Sequence, residues 1–182
     1  MITQEHAFDI GDWIVHKQHG VGQLTETMRH AISGEETLYF IMETANSSIW
    51  VPAEQLDGEH IRPLSTPEDI QEVVTVLQRP PRRMVNNFNT RKSRIRQVQQ
   101  KGTPLALARL VRDLRARRRR KGRLSQTEEQ ALRTLTQQLV VEWARCMGVQ
   151  AQAVRQKIDA LLTRRAAAQS SRTAVPQAGA AD

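Results

Sequence analysis

Apolar positions change their spacing once along this chain, near residue 65. Before that point they come in short runs separated by turn residues. Asp12–His16 is followed by the turn His19-Gly20-Val21-Gly22, Val21–Met28 is a second strand candidate, and Ser33-Gly34-Glu35 marks another turn. Leu38–Met42 is a continuous apolar run suited to a strand buried on both faces, and Asn46-Ser47-Ser48 turns the chain into Ile49-Trp50-Val51, which Pro52 stops. Roughly three or four short strands at this spacing predict a small barrel rather than an open sheet.

After that point the spacing is helical. Ser65-Thr66-Pro67-Glu68-Asp69 supplies a hydroxyl cap, a proline for the first turn and acids at the positive end of the helix dipole. Ile70, Val73, Val74 and Leu77 share one face, and Pro80-Pro81 ends this helix. Asn89–Gln100 is a further helix, polar and weakly patterned, with Ile95 and Val98 as its aliphatic residues. Gly102-Thr103-Pro104 restarts the chain into the stripe Leu107, Leu110, Val111 and Leu114, which stops at Gly122. Ser125-Gln126-Thr127-Glu128 matches a capping box ahead of Leu132, Leu135, Leu139, Val140 and Trp143, and Gly148 closes that helix. A last helix carries Val154, Ile158, Leu161 and Leu162. From Ala166 onward the chain is rich in Ala, Ser and Gln without periodicity, which predicts a disordered tail. The expected fold class is α+β: a small β-barrel over residues 1–66, a compact all-α domain over 67–165 and a tail over 166–182, with the boundary between Leu64 and Asp69.

Charge follows the same division. Residues 1–68 hold 3 Lys/Arg and 11 Asp/Glu, whereas the remainder holds 24 and 8. Within Arg82–Arg123 there are 16 Lys/Arg against one acid, Asp113. A basic half meets a polyanion, most simply nucleic acid, while an acidic half is repelled by it and suits a protein partner. The apolar runs are too short for a membrane span. Met1–Phe8 has neither the basic start nor the apolar stretch of a secretory signal. Cys146 is the single cysteine, so no internal disulfide forms, a cytoplasmic setting is expected, and its place in a helical pattern makes it a small buried hydrophobe.

Catalytic patterns are missing. There is neither a GxxxxGK[ST] loop nor a GxGxxG after a strand, and Ser125 lacks a GxSxG setting. His16 and His19, three apart in strand and turn, are not expected to bring their rings together or to hold a metal, and Glu35-Glu36 reads as a solvated turn. The chain is therefore expected to be no enzyme and to need no cofactor or metal. The cations are the main signal. Arg115, Arg117, Arg118, Arg119, Arg120 and Lys121 crowd the end of a helix, where one or two would satisfy the dipole. Arg91, Lys92, Arg94 and Arg96 sit at the start of another, where cations are mildly unfavourable. Both placements suggest phosphate, with a solvated basic face as the plainer alternative. Phe88, in Asn86-Asn87-Phe88-Asn89 just before those arginines, is either a wedge or stacking platform for bases, or an anchor packing the helix start.

Phe8-Asp9-Ile10-Gly11-Asp12-Trp13-Ile14-Val15 through His19-Gly20-Val21-Gly22 resembles the opening of CarD/CdnL-type bacterial transcription regulators, and Trp50-Val51-Pro52-Ala53-Glu54 resembles their strand ending in Val-Pro. Transcription-repair coupling factors share that module. The likeness continues through Leu110-Val111-Arg112-Asp113-Leu114 and through Leu124-Ser125 with the helix to Trp143, where coupling factors would lead into helicase motifs. It covers about residues 7–162.

The resemblance implies a Tudor-like, SH3-like barrel that binds the β subunit of RNA polymerase, and a helical domain that touches promoter DNA at the upstream edge of the bubble and stabilises the open complex. The polymerase-facing residues would be Ile49, Trp50, Val51 and Pro52, with Arg29 and His30 nearby. Trp50 is exposed there if Ile49 and Val51 point inward; otherwise it is a core residue. The family carries a minor-groove Trp wedge where this chain has Phe88, which lacks the indole N–H. Arg91, Lys92, Arg94 and the run Arg117, Arg118, Arg119, Arg120 and Lys121 would hold phosphates. A cytoplasmic, nucleoid-associated monomer without a membrane partner is expected. The rivals are a stand-alone binder of DNA or ribosomal RNA, without polymerase contact, and an enzyme of unrecognised type.

Overall fold

A computed structural model of the chain describes residues 7–32 and 35–173. Five antiparallel strands come first: β1 Trp13–His16, β2 Gly20–Ile32, β3 Glu35–Thr44, β4 Ser48–Pro52 and β5 Ile61–Pro63. They pair in the order β4-β3-β2-β1-β5, with a 3-10 turn at Ala53–Gln55 carrying the chain from one edge toward the other. Ile14, Leu24, Phe40, Met42, Val51, Ala53, Leu56 and Ile61 form one small core inside this layer.

Three expectations about the strands change. β2 runs past Met28 to Ile32, and β5 was not foreseen. β5 is only three residues long, too short for a periodic signal, and exists because β1 offers it the register Ile14↔Pro63 and His16↔Ile61. The expected turn at Ser33-Gly34 lies outside the described residues. Leu38–Met42 is buried only in its second half: Phe40, Ile41 and Met42 are buried, whereas Leu38 and Tyr39 are half-exposed. Gly22 is needed where β2 crosses β3, because a Cβ there would stand 2.6 Å from Met42 Cγ and 2.8 Å from the Glu43 carbonyl oxygen.

Five helices follow: α1 Pro67–Gln78, α2 Phe88–Lys101, α3 Pro104–Lys121, α4 Gln126–Met147 and α5 Ala151–Thr173. Capping boxes open α1 (Thr66 with Asp69) and α4 (Ser125 with Glu128). Gly102 and Gly148 close α2 and α4 in the left-handed conformation, at φ 60° and 62°. The predicted stripes meet in one core, with Leu107, Leu110, Val111 and Leu114 of α3 against Leu135 and Leu139 of α4, and with Val73, Leu77 and Ile158 closing it. Cys146 is half-buried, packs against this core and is free; burial, then the charges of Glu142, Asp69 and Glu68, push its thiol pKa up. Residues 166–173, expected in the tail, continue α5, since backbone hydrogen bonding extends a helix without any apolar stripe; residues 174–182 lie outside the described ones. No described helix is long and apolar enough to cross a membrane.

The histidines correct another expectation. The rings of His16 and His19 lie 4.7 Å apart, because the turn after β1 folds His19 back and both His19 N–H and Gln18 N–H donate to His16 Nδ1. No described group of His, Cys, Asp or Glu is arranged to hold a metal. Burial, then the neighbouring His19 and His60, hold the His16 pKa below its ordinary 6.5. The folded protein thus keeps His16 neutral, whereas the unfolded chain takes up a proton near 6.5. Stability is complete above that pH and falls as the pH drops from it toward the lowered folded value. Thermal melts across this window should show a falling Tm that flattens in His16→Gln; an unchanged slope in the variant would remove His16 as the cause.

Candidate functional site

α2 has almost no apolar stripe, and two buried carboxylates hold it instead. Glu128, at the start of α4 and 2% exposed, accepts from Arg91 Nε at 2.7 Å and from Arg117 Nε at 3.0 Å, while its other oxygen accepts the Ser125 N–H and hydroxyl at 3.0 and 2.9 Å. Burial alone would raise its pKa, but the Ser125 N–H, Arg91 and the Ser125 hydroxyl outweigh it and hold the carboxyl below its ordinary 4.5. Asp113 is fully buried in α3 and accepts from Arg112 Nε and Nη2 at 3.0 and 2.9 Å, from Arg94 Nη2 at 2.6 Å and from the Arg82 backbone N–H at 2.9 Å. The single acid of the basic stretch is therefore its fastening.

This reassigns several of the sequence-predicted phosphate ligands. Arg91 lies inside the domain, and besides Glu128 it donates to the carbonyls of Val85 and Asn86. Arg94 and Arg117 are half-buried and spent on Asp113 and Glu128. Arg91 is thus neutralised inside the domain, and Arg94 and Arg117 are each tied to a buried carboxylate, so all three brace this end of the helices.

Phe88 is what they organise. It is the first residue of α2, 43% exposed and outside the buried core. The Asn87 side chain caps the helix by accepting the Thr90 N–H at 3.1 Å. Arg91 ties down the two carbonyls just before that cap, and its guanidinium carbon lies 5.9 Å from the Phe88 ring centre. An apolar ring is thus held outward on a braced helix end.

The same domain carries free cations. Lys92, Arg120 and Lys121 are exposed, and their side chains make no hydrogen bond or ion pair among the described residues. Arg118 makes only an open contact of 3.5 Å with Glu129, and Arg119, exposed, donates to the Leu162 carbonyl at 2.9 Å. Two residues of that run also meet arginines from elsewhere in the chain. Arg115, Arg118, Arg133 and Arg155 line a concavity of 300 Å³ across α3, α4 and α5. Arg133 has no partner among the described residues, and Arg155 meets only the neutral Gln137. Arg133 and Arg155 come from α4 and α5, outside the basic run, so no sequence run announces these two.

At the far edge of the sheet is an aromatic face. Val51 is buried and Ile49 packs against the barrel core, so alternation turns Trp50 outward, 46% exposed. Trp50 is therefore a surface residue. Its ring meets His30 edge-on at 5.6 Å and Tyr39 at 5.9 Å, and exposed Met28 stands across from Tyr39 on β2. Pro52 pairs with Tyr39, and Arg29 makes a loose 3.8 Å contact with Glu36. Of the six residues expected to face a protein, Ile49 and Val51 serve from inside the barrel by orienting Trp50. Tyr39 and Met28 join the face from strands whose contribution only the pairing reveals.

Residues 8–65 match the family model described as the CarD-like/TRCF RID domain, the RNA polymerase-interacting module. Residues 72–159 match the CarD C-terminal domain. The two matches follow one another in that order and span both folded units. The chain is a CarD/CdnL-type protein. As such it is a transcription regulator that interacts with RNA polymerase, and CarD-like proteins are non-enzymatic transcription factors. The aromatic face of this CarD-type chain lies within its polymerase-interacting module, and Phe88 with the free cations lies within its C-terminal domain.

Proposed function

We propose that the barrel binds the β subunit of RNA polymerase through the face around Trp50, and that the helical domain engages promoter DNA at the upstream edge of the transcription bubble. Phe88 enters the minor groove there and lengthens the life of the open complex. The observation that carries this reading is the outward ring of Phe88 on a braced helix end, in a domain that also carries exposed, unpaired cations. Apolar side chains of several kinds unstack a base step from the minor groove, and Phe is among them. Lys92, Arg118, Arg119, Arg120 and Lys121, extended by Arg133 and Arg155, hold backbone phosphates, which positions the protein without reading sequence. The polymerase tether raises the local concentration of the helical domain, so a weak DNA contact suffices. The protein acts as a monomer on the nucleoid, in the bacterial cytoplasm.

A ligand that binds only the open state shifts opening by its differential affinity alone. Phe88→Ala should shorten open-complex lifetime about tenfold, corresponding to about 1.4 kcal/mol, while leaving polymerase affinity as it was. Phe88→Trp should restore or lengthen the lifetime. Competitor-challenged promoter complexes measure both, and a Phe88→Ala lifetime equal to wild type would remove the wedge.

A further inference from the structure

The barrel and the helical domain meet along a seam, and a buried ion pair lies in it. Glu142 of α4 is 1% exposed. Arg62 of β5 reaches across to it, with Nη1 2.6 Å from Oε1 and Nη2 2.8 Å from Oε2. The same guanidinium donates to the Gly102 carbonyl at the end of α2, from Nη2 at 2.7 Å and Nε at 3.3 Å, and to its neighbour's Pro63 carbonyl at 3.1 Å. The Ser65 hydroxyl, in the short connection to α1, donates to Glu142 Oε1. Close by, the Arg145 guanidinium of α4 lies 3.2 Å from the centre of the Trp13 ring of β1.

Such an arrangement is directional. A fork-on-fork pair fixes distance and plane together, which an apolar contact does not. Among the described residues the carboxylate has no partner in the helical domain: Arg62 and Ser65, which bind it, come from β5 and the connection. Its burial therefore makes sense only with the barrel in this one place. The seam is separate from both working faces, since β5 is the sheet edge opposite β4 with Trp50, and Phe88 begins α2 whereas Gly102 ends it.

We propose that Arg62, Glu142 and Ser65 are positioning residues that set the angle between the two domains, so that a barrel docked on polymerase delivers Phe88 to one point on the DNA. This rests on the function proposed above. The test uses the full chain carrying Glu142→Gln or Arg62→Met. Residual dipolar couplings of the free wild-type protein should fit a single alignment tensor for both domains, and each variant should need a separate tensor for each. Affinities for polymerase alone and for duplex DNA alone should stay at wild-type values, while open-complex lifetime falls about tenfold as the effective concentration at the bubble drops. A single tensor in the variants, or a wild-type lifetime despite loosened domains, overturns the proposal. So does a parallel loss of both separate affinities, which marks a merely structural role. If Glu142→Gln does not fold, Ser65→Ala and Arg145→Ala weaken the same seam and are read the same way. If wild-type protein fails to lengthen open complexes at all, the transcription reading falls, and the alignment tensors alone decide whether the pair sets the angle.

Discussion

Glu128→Ala should cost the helical domain about 3–5 kcal/mol, because it strands a buried cation. Arg91 would keep only the Val85 and Asn86 carbonyls, Arg117 would lose its carboxylate, and Ser125 would lose the reciprocal half of its capping box. Against a total stability of about 5–15 kcal/mol for a domain, that loss leaves much of the protein near its unfolding transition. Denaturant titration measures it, and a Glu128→Ala midpoint close to wild type would mean that Arg91 finds other support. Arg118→Ala is the control, since its open contact with Glu129 is worth less than about 1 kcal/mol. Acid should act like the substitution. The Glu128 pKa lies below its ordinary 4.5, so its contribution is complete above that value and disappears as pH falls through the lowered folded value. Because Arg91 also secures the carbonyls before Phe88, mild destabilisation at this hub should reduce open-complex lifetime before the domain unfolds.

Trp50→Ala should weaken polymerase binding by about 2–4 kcal/mol, roughly 30- to 1,000-fold, the range of a central aromatic anchor. The ring is half outside the protein, stacks with His30 and Tyr39 and lies outside the barrel core, so removal leaves that core intact and Tm close to wild type. That separates it from Val51→Ala, which would open a cavity in the core and lower stability first. Calorimetric titration against the β-subunit lobe, alongside melts of both variants, makes the distinction. Wild-type affinity in Trp50→Ala would take Trp50 out of the interface.

The sequence singled out Phe88 and Trp50 but left each open between surface and core, and the structure exposes both; it also marked the basic stretch. Its error lay in which cations of that stretch face outward. Arg91 and Arg94, three apart at the start of a polar helix, carry the signature of a phosphate-binding face, yet they turn toward Glu128 and Asp113. Helical spacing states that two residues share a face but not which way the face points. An apolar stripe settles this by seeking the core; an arginine stripe goes wherever a carboxylate waits. Arg133 and Arg155 carry no sequence signal, being isolated in the chain until α3, α4 and α5 bring them together.

What the sequence alone determined is local in origin. Strand against helix follows from the spacing of apolar residues. Helix ends follow from Thr66, Ser125, Gly102, Gly122 and Gly148, each acting within a turn of its own position. The division of charge between the halves is composition. The tertiary structure decided whatever depends on partners far along the chain: β5, which exists only beside β1; Arg91, neutralised by a carboxylate 37 residues away; and the seam, where Arg62 and Glu142 stand 80 residues apart. Burial makes a charge costly unless an opposite charge meets it, and only the folded chain brings those charges together.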